Sequence, residues 1–190
     1  MRVVLLGAPG SGKGTQGEAL AKHFGVDHVS SGELFREHIA SGTELGRQVA
    51  DFVTRGDLVP DDLVITIVGA AVRAAAERGG YVLDGFPRTL AQAERAYELA
   101  GAAGLTADVV VYLSVPDEVV RQRLTGRAAE GRADDADPAV IERRLSVFHD
   151  ETQPLLDFYR DRGILVTVDA TPPPSQVTAD MLAAVTQPAT

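Results

Sequence analysis

The sequence predicts an α/β fold built on a largely parallel sheet. Three observations carry this. Short apolar runs recur at residues 3–6, 81–83, 109–113 and 164–168. Stretches with helical spacing separate them, and strands alternating with helices form parallel sheets with crossover helices. The first run, Val3-Val4-Leu5-Leu6, enters a glycine-rich turn and then the helical pattern Ala19, Leu20, Phe24.

That turn reads Gly7-Ala8-Pro9-Gly10-Ser11-Gly12-Lys13-Gly14-Thr15. A strand, a glycine loop and a helix in this order wrap backbone N–H groups around a phosphate at the positive end of the helix. Lys13 reaches the outer phosphates as a point charge. The generic pattern asks for Ser or Thr directly after the lysine. Here Gly14 stands there and Thr15 follows, a departure of one place. The bland alternative is a simple glycine turn. Against it, Lys13 and Lys22 are the lysines of the chain, and one of them falls inside the loop.

Residues 30–59 interrupt the alternation. Two short helical patterns, 34–39 and 45–53, are separated by Ser41-Gly42 and closed by Gly56. They read as a small helical insertion. The strand-like run Tyr81-Val82-Leu83 ends in Asp84. Asp84 reads either as a turn former before Gly85 or as a carboxylate that orients Mg²⁺ or its water ligands; the glycine loop favours the second. Beyond the run at 109–113, arginines gather: Arg121, Arg123, Arg127, Arg132, Arg143 and Arg144. Arg123 and Arg127 share a face if their helix persists that far. These arginines form either a solvated face paired with nearby acids or a cradle for a polyanion, since guanidinium binds phosphate bidentately. Residues 126–137 are polar and read as an exposed loop. Pro138 opens a helical pattern predicted through Arg162, and Pro172-Pro173-Pro174 precedes a last one ending near Val185.

Composition narrows the function. At 190 residues the chain is one domain with room for a core. Its net charge of -9 disfavours nonspecific binding to nucleic acid or anionic membranes. Cysteine is absent, so thiolate metal sites are excluded. No secretory leader or membrane-length apolar run is legible, which makes the cytoplasm the default. His23, His28, His38 and His149 show no metal-pair spacing and read as surface or supporting groups.

With these residues in place, the chain resembles the short-lid adenylate kinases of the nucleoside monophosphate kinase family. The loop ends in the family's Lys13-Gly14-Thr15, Leu83-Asp84-Gly85-Phe86-Pro87-Arg88-Thr89 matches its second motif, and Gly131-Arg132-Ala133-Asp134-Asp135 is similar to its lid motif. The resemblance implies a P-loop fold with a five-stranded parallel sheet, an AMP-binding insertion at 30–59, a lid at 126–136 and a core made of the rest. It implies reversible transfer of the terminal phosphoryl group of MgATP to AMP, giving two ADP, by a cytoplasmic monomer without structural zinc.

By the same resemblance, Gly10, Ser11, Gly12, Lys13, Gly14 and Thr15 hold the ATP phosphates. Arg123 packs on the ATP adenine, Arg127 contacts its phosphate, and a carbonyl near Pro172 accepts from the adenine amino group. Ser31, Arg36, Asp57, Leu58, Val59, Gly85, Phe86, Pro87, Arg88 and Gln92 face AMP. Arg132 and Arg144 bind at the transfer point and on AMP. Lys13, Arg88, Arg132, Arg144 and Asp84 are the catalytic set, with Mg²⁺ on ATP and Asp84 reaching it through water. Ser31 replaces the family's usual Thr and keeps the hydroxyl. A UMP/CMP kinase, the nearest rival, usually carries Ala at the Ser31 position and Asn near Gln92. A nucleotide switch would need a guanine-reading Asn-Lys-x-Asp stretch, which this sequence lacks, and a small-metabolite P-loop kinase leaves the 84–89 motif without a role.

Overall fold

The computed structural model describes residues 1–129 and 137–186. Five strands form one sheet: β1 (Arg2–Gly7), β2 (Asp27–Ser30), β3 (Tyr81–Asp84), β4 (Val109–Ser114) and β5 (Leu165–Asp169). The spatial order is β2-β3-β1-β4-β5 and every pairing is parallel. The helices are α1 (Lys13–Phe24), α2 (Ser31–Ala40), α3 (Glu44–Arg55), α4 (Asp61–Glu77), α5 (Leu90–Ala103), α6 (Asp117–Ala129), α7 (Pro138–Val147), α8 (Leu155–Arg160) and α9 (Pro174–Thr186).

Alternation along β1 explains the layers. Successive side chains of a strand point to opposite faces. Val4 and Leu6 enter a core shared with Leu83, Val110, Val68 on α4 and Leu155 on α8. Val3 and Leu5 enter the opposite core with Val82, Val111, Leu20 on α1 and Met181 on α9. A central strand covered on both faces must be apolar throughout, which is why the run at 3–6 was visible. A third cluster, Val120, Leu124, Ile141, Leu145 and Phe148, packs α6 against α7 below the loop residue Ala8.

Two expectations are corrected. The fifth strand, β2, was not among the apolar runs; its Asp27 and His28 break the pattern, and β3 pairs with it through backbone. The helix expected from 138 through 162 is not continuous. It ends at Val147, gives way to a π-helical turn at Phe148–Thr152 and resumes as α8. That turn seats Phe148 in the third cluster and Thr152 against Arg88, whose carbonyl accepts from Thr152 Oγ1 at 2.8 Å. The short helices α2 and α3 stand where the insertion was expected. Among the described residues no helix is long and apolar enough to cross a membrane.

Because the strands run parallel, their carboxyl ends lie on one side. The loops after β1 and β3 open there, around the point where the chain order reverses beside β1, and such crevices bind ligands.

Candidate active site

The site grows from the β1–α1 turn. Gly10 and Gly12 take positive φ angles of 81° and 101°. An L side chain avoids that region. At Gly10 a Cβ would also meet Leu124 Cγ at 2.9 Å. The glycines therefore let the turn fold down onto α6. Lys13 opens α1 and bends back over the turn, its ammonium donating to the carbonyls of Gly7 at 2.7 Å and Ala8 at 2.9 Å.

A cavity of about 850 Å³ lies above this turn. Gly10, Ser11, Gly12, Lys13, Gly14, Thr15, Arg36, Asp84, Gly85, Pro87, Arg88, Arg123, Arg127, Arg144 and Pro172 all line it. Residues from six separate stretches of sequence thus meet in one cleft. A smaller pocket of about 60 Å³ continues from it, sharing Arg36, Arg88 and Arg144 and adding Asp57, Leu58, Val59 and Gln92.

Positive charge is crowded here although the chain is acidic. Burial lowers the Lys13 ammonium from 10.5 to about 8; Asp84 opposes this, while Arg88, Arg144 and Arg127 add to it. Burial, then Arg144 and Arg36, likewise push the Arg88 guanidinium below its ordinary range, against the pull of Asp84. Like charges gathered in one cleft repel, and a polyphosphate would be attracted to them.

Arg88 and Arg123 are held by backbone carbonyls. Arg88 Nε donates to Gly85 O at 2.7 Å, and its own N–H donates to Gln92 Oε1 at 2.8 Å. Arg123 Nη2 donates to Ala170 O at 2.9 Å and Thr171 O at 3.3 Å, tying α6 to the loop that carries Pro172. Because α6 runs to Ala129, Arg123 and Arg127 do share a helix. Asp84, 7% exposed, is the buried acid among the described residues, and Ser30 Oγ donates to its Oδ2 at 3.4 Å.

Some expected residues sit otherwise. Ser31 lines neither cavity; its hydroxyl is buried without a hydrogen-bond partner, against Gly85. The Phe86 side chain turns into the core, so only its backbone is left for the cleft. Arg132, and the lid motif around it, lie outside the described residues.

Of three further neighbours, Asp61 was not singled out in the sequence, Arg143 was read only as one of the gathered arginines, and His28 only as a surface or supporting group. Asp61 accepts from Gln92 Nε2 at 2.7 Å, Arg143 Nε donates to Asp57 Oδ1 at 2.9 Å, and His28 Nε2 lies 3.9 Å from Asp84 Oδ2. Asp61 carried no signal in isolation.

Fold and site together define a P-loop kinase. The family model described as Adenylate kinase matches residues 5–164. The chain is 46% identical over 170 residues to an adenylate kinase of Mycobacteroides abscessus, covering 90% of this chain and 91% of that one. It is 43% identical over 178 residues to an adenylate kinase of Thermobifida fusca, with 94% of each chain covered, and 37% identical over 206 residues to one of Lachnospira eligens, with 94% and 97% covered. The chain belongs to the adenylate kinase family.

Proposed function

We infer that this protein transfers the terminal phosphoryl group of ATP to AMP, reversibly, giving two ADP. One observation supports the reading above the others: Arg88, Arg127 and Arg144 line the same cleft as Lys13 and lie close enough to help lower its ammonium pKa. An AMP phosphate oxygen attacks the γ-phosphorus of ATP while the bond from that phosphorus to the β–γ bridging oxygen breaks. Charge moves between oxygens and no covalent enzyme intermediate is needed, so positioning and neutralisation carry the catalysis.

In this reading Gly10 to Thr15 hold the ATP phosphates with backbone N–H groups, and Lys13 exchanges a loop carbonyl for a phosphate oxygen. Arg88 and Arg144 line both cavities and clamp the phosphates where they meet; Arg132 joins them from the lid. Arg36, Asp57, Leu58, Val59, Gly85 and Gln92 surround AMP. Arg123, Arg127 and the Pro172 backbone take the ATP side. Residues 30–59 and 126–136 move against the core and exclude the water that would compete with AMP.

Magnesium travels with ATP. The donors fit it: Asp84 offers a buried carboxylate and Thr15 a hydroxyl, both in the cleft lining, and hard oxygen ligands suit this ion. When bound, Mg²⁺ neutralises phosphate charge. Asp84 would hold water of its shell. Since one chain carries both nucleotide cavities, a monomer suffices, and the cytoplasm supplies both substrates.

The test is a coupled assay with MgATP and AMP, CMP, UMP or GMP in turn. Turnover with AMP, yielding two ADP per event, is the expected result. Activity confined to CMP and UMP would overturn it.

A further inference from the structure

Gln92 is 2% exposed and lines the smaller pocket with Arg36, Leu58 and Val59. Both ends of its amide are engaged: Nε2 donates to Asp61 Oδ1 at 2.7 Å, and Oε1 accepts from the Arg88 backbone N–H at 2.8 Å. An ionised carboxylate only accepts and a backbone N–H only donates. The amide therefore has one allowed orientation. Turned over, its oxygen would face the Asp61 oxygen and its NH₂ would face the Arg88 N–H, two mismatches at once.

The two bonds use one amide hydrogen and one lone pair. One N–H and one lone pair remain on the two neighbouring ends of the amide. A donor beside an acceptor reads a base edge that offers an acceptor beside a donor. Adenine does so with N1 and its 6-amino group. A 6-oxo purine presents the reverse, N1–H and O6, and could be read only by a flipped amide.

We propose that Asp61 is a specificity-determining positioning residue: by locking the Gln92 amide, it selects a 6-amino purine monophosphate over its 6-oxo counterpart. This rests on the reading of Gln92 as a base contact. Asp61 touches no substrate; it acts through Gln92.

IMP is the probe, because it differs from AMP only along this edge. The experiment compares kcat/KM for AMP and for IMP, with MgATP, in the wild-type enzyme, Asp61→Asn and Asp62→Asn. Asparagine can donate or accept, so Asp61→Asn removes one of the two mismatches of the flip, leaving the one at the Arg88 N–H, at nearly constant shape. Asp61 and Asp62 both lie in the first turn of α4, where acids favour the helix dipole. Asp62→Asn thus reproduces the helix loss without touching the amide.

The wild-type enzyme is expected to prefer AMP strongly. Asp61→Asn should shrink the AMP:IMP ratio at least tenfold, chiefly through a rise with IMP, while Asp62→Asn keeps it. An unchanged ratio in Asp61→Asn, or equal shrinkage in both variants, overturns the role of Asp61 and leaves the adenylate kinase reading intact. Wild-type enzyme that does not turn over AMP overturns both.

Discussion

Asp57 and Arg143, 86 positions apart, meet at 2.9 Å, and Arg55 donates to the other oxygen of the same carboxylate at 3.0 Å. The two guanidinium groups hold the Asp57 carboxyl below its usual range. Asp57 follows α3 and Arg143 lies on α7, so the pair ties the turn after α3 to α7. Arg143 is 57% exposed, and such pairs contribute little to stability. Arg143→Ala should therefore raise the KM for AMP by a few fold at most, with kcat and the KM for ATP unchanged. The difference should shrink in high salt, because salt screens exposed pairs. Steady-state kinetics at two ionic strengths checks both statements.

Lys13 gives the reaction a pH dependence. In the folded protein its ammonium ionises near pH 8, against 10.5 ordinarily, because it is buried among cations. As pH rises above about 8 the free enzyme loses this charge, so kcat/KM for ATP should fall. The plot of kcat should stay flat to higher pH, since bound phosphate favours the ammonium. Stability moves the other way. Between about pH 8 and 10.5 the unfolded chain keeps a proton that the folded chain has shed. More protons on the unfolded state mean that this group makes stability rise with pH in that window. Lys13→Met should remove both trends, read by pH–rate profiles and by thermal melts across the same range.

The glycine loop and the motif at 84–89 were legible because each is local: one turn, one strand end, one cap. The sheet was legible where strands carry an apolar run, as at 3–6, 81–83, 109–113 and 164–168. The strand at 27–30 was not, because backbone pairing and not side-chain pattern defines it. The helix break at 148–152 was hidden for a similar reason, as residues 138–162 keep a helical period through the π turn. The contacts that aim the site were out of reach. Gln92 to Asp61 spans 31 positions and Arg143 to Asp57 spans 86, and no periodicity encodes which long-range partner a carboxylate takes.

Arg88 separates catalysis from stability. It stands in the cleft with Arg144 and Arg36 beside it, and all three repel. Arg88→Ala removes a phosphate clamp, for which losses of about 10²–10³ in kcat are typical. Its backbone bonds to Gln92 and Thr152 survive the change. Relief of repulsion offsets the lost Gly85 contact, so Tm should not fall. Turnover near wild type would refute the clamp; a Tm drop of many degrees would make Arg88 a structural residue.

Gly17 and His28 form a matched pair beneath Asp84. Gly17 lies inside α1, where glycine is less favourable than alanine by roughly 0.8–1.0 kcal/mol. The structure gives the reason: a Cβ at Gly17 would collide with His28 Nε2. That nitrogen is buried, has no hydrogen-bond partner and points toward Asp84 Oδ2 at 3.9 Å. The missing methyl thus makes room for an imidazole behind the carboxylate. Gly17→Ala should lower Tm despite the better helix propensity, because the clash of a rigid ring against a helix costs typically about 1–3 kcal/mol. Adding His28→Gln should restore Tm, since an unbranched side chain can step around the new methyl. Thermal denaturation of the two single variants and the double variant decides it. Gly17→Ala alone melting above wild type would show that the ring moves aside freely and that the glycine has another cause.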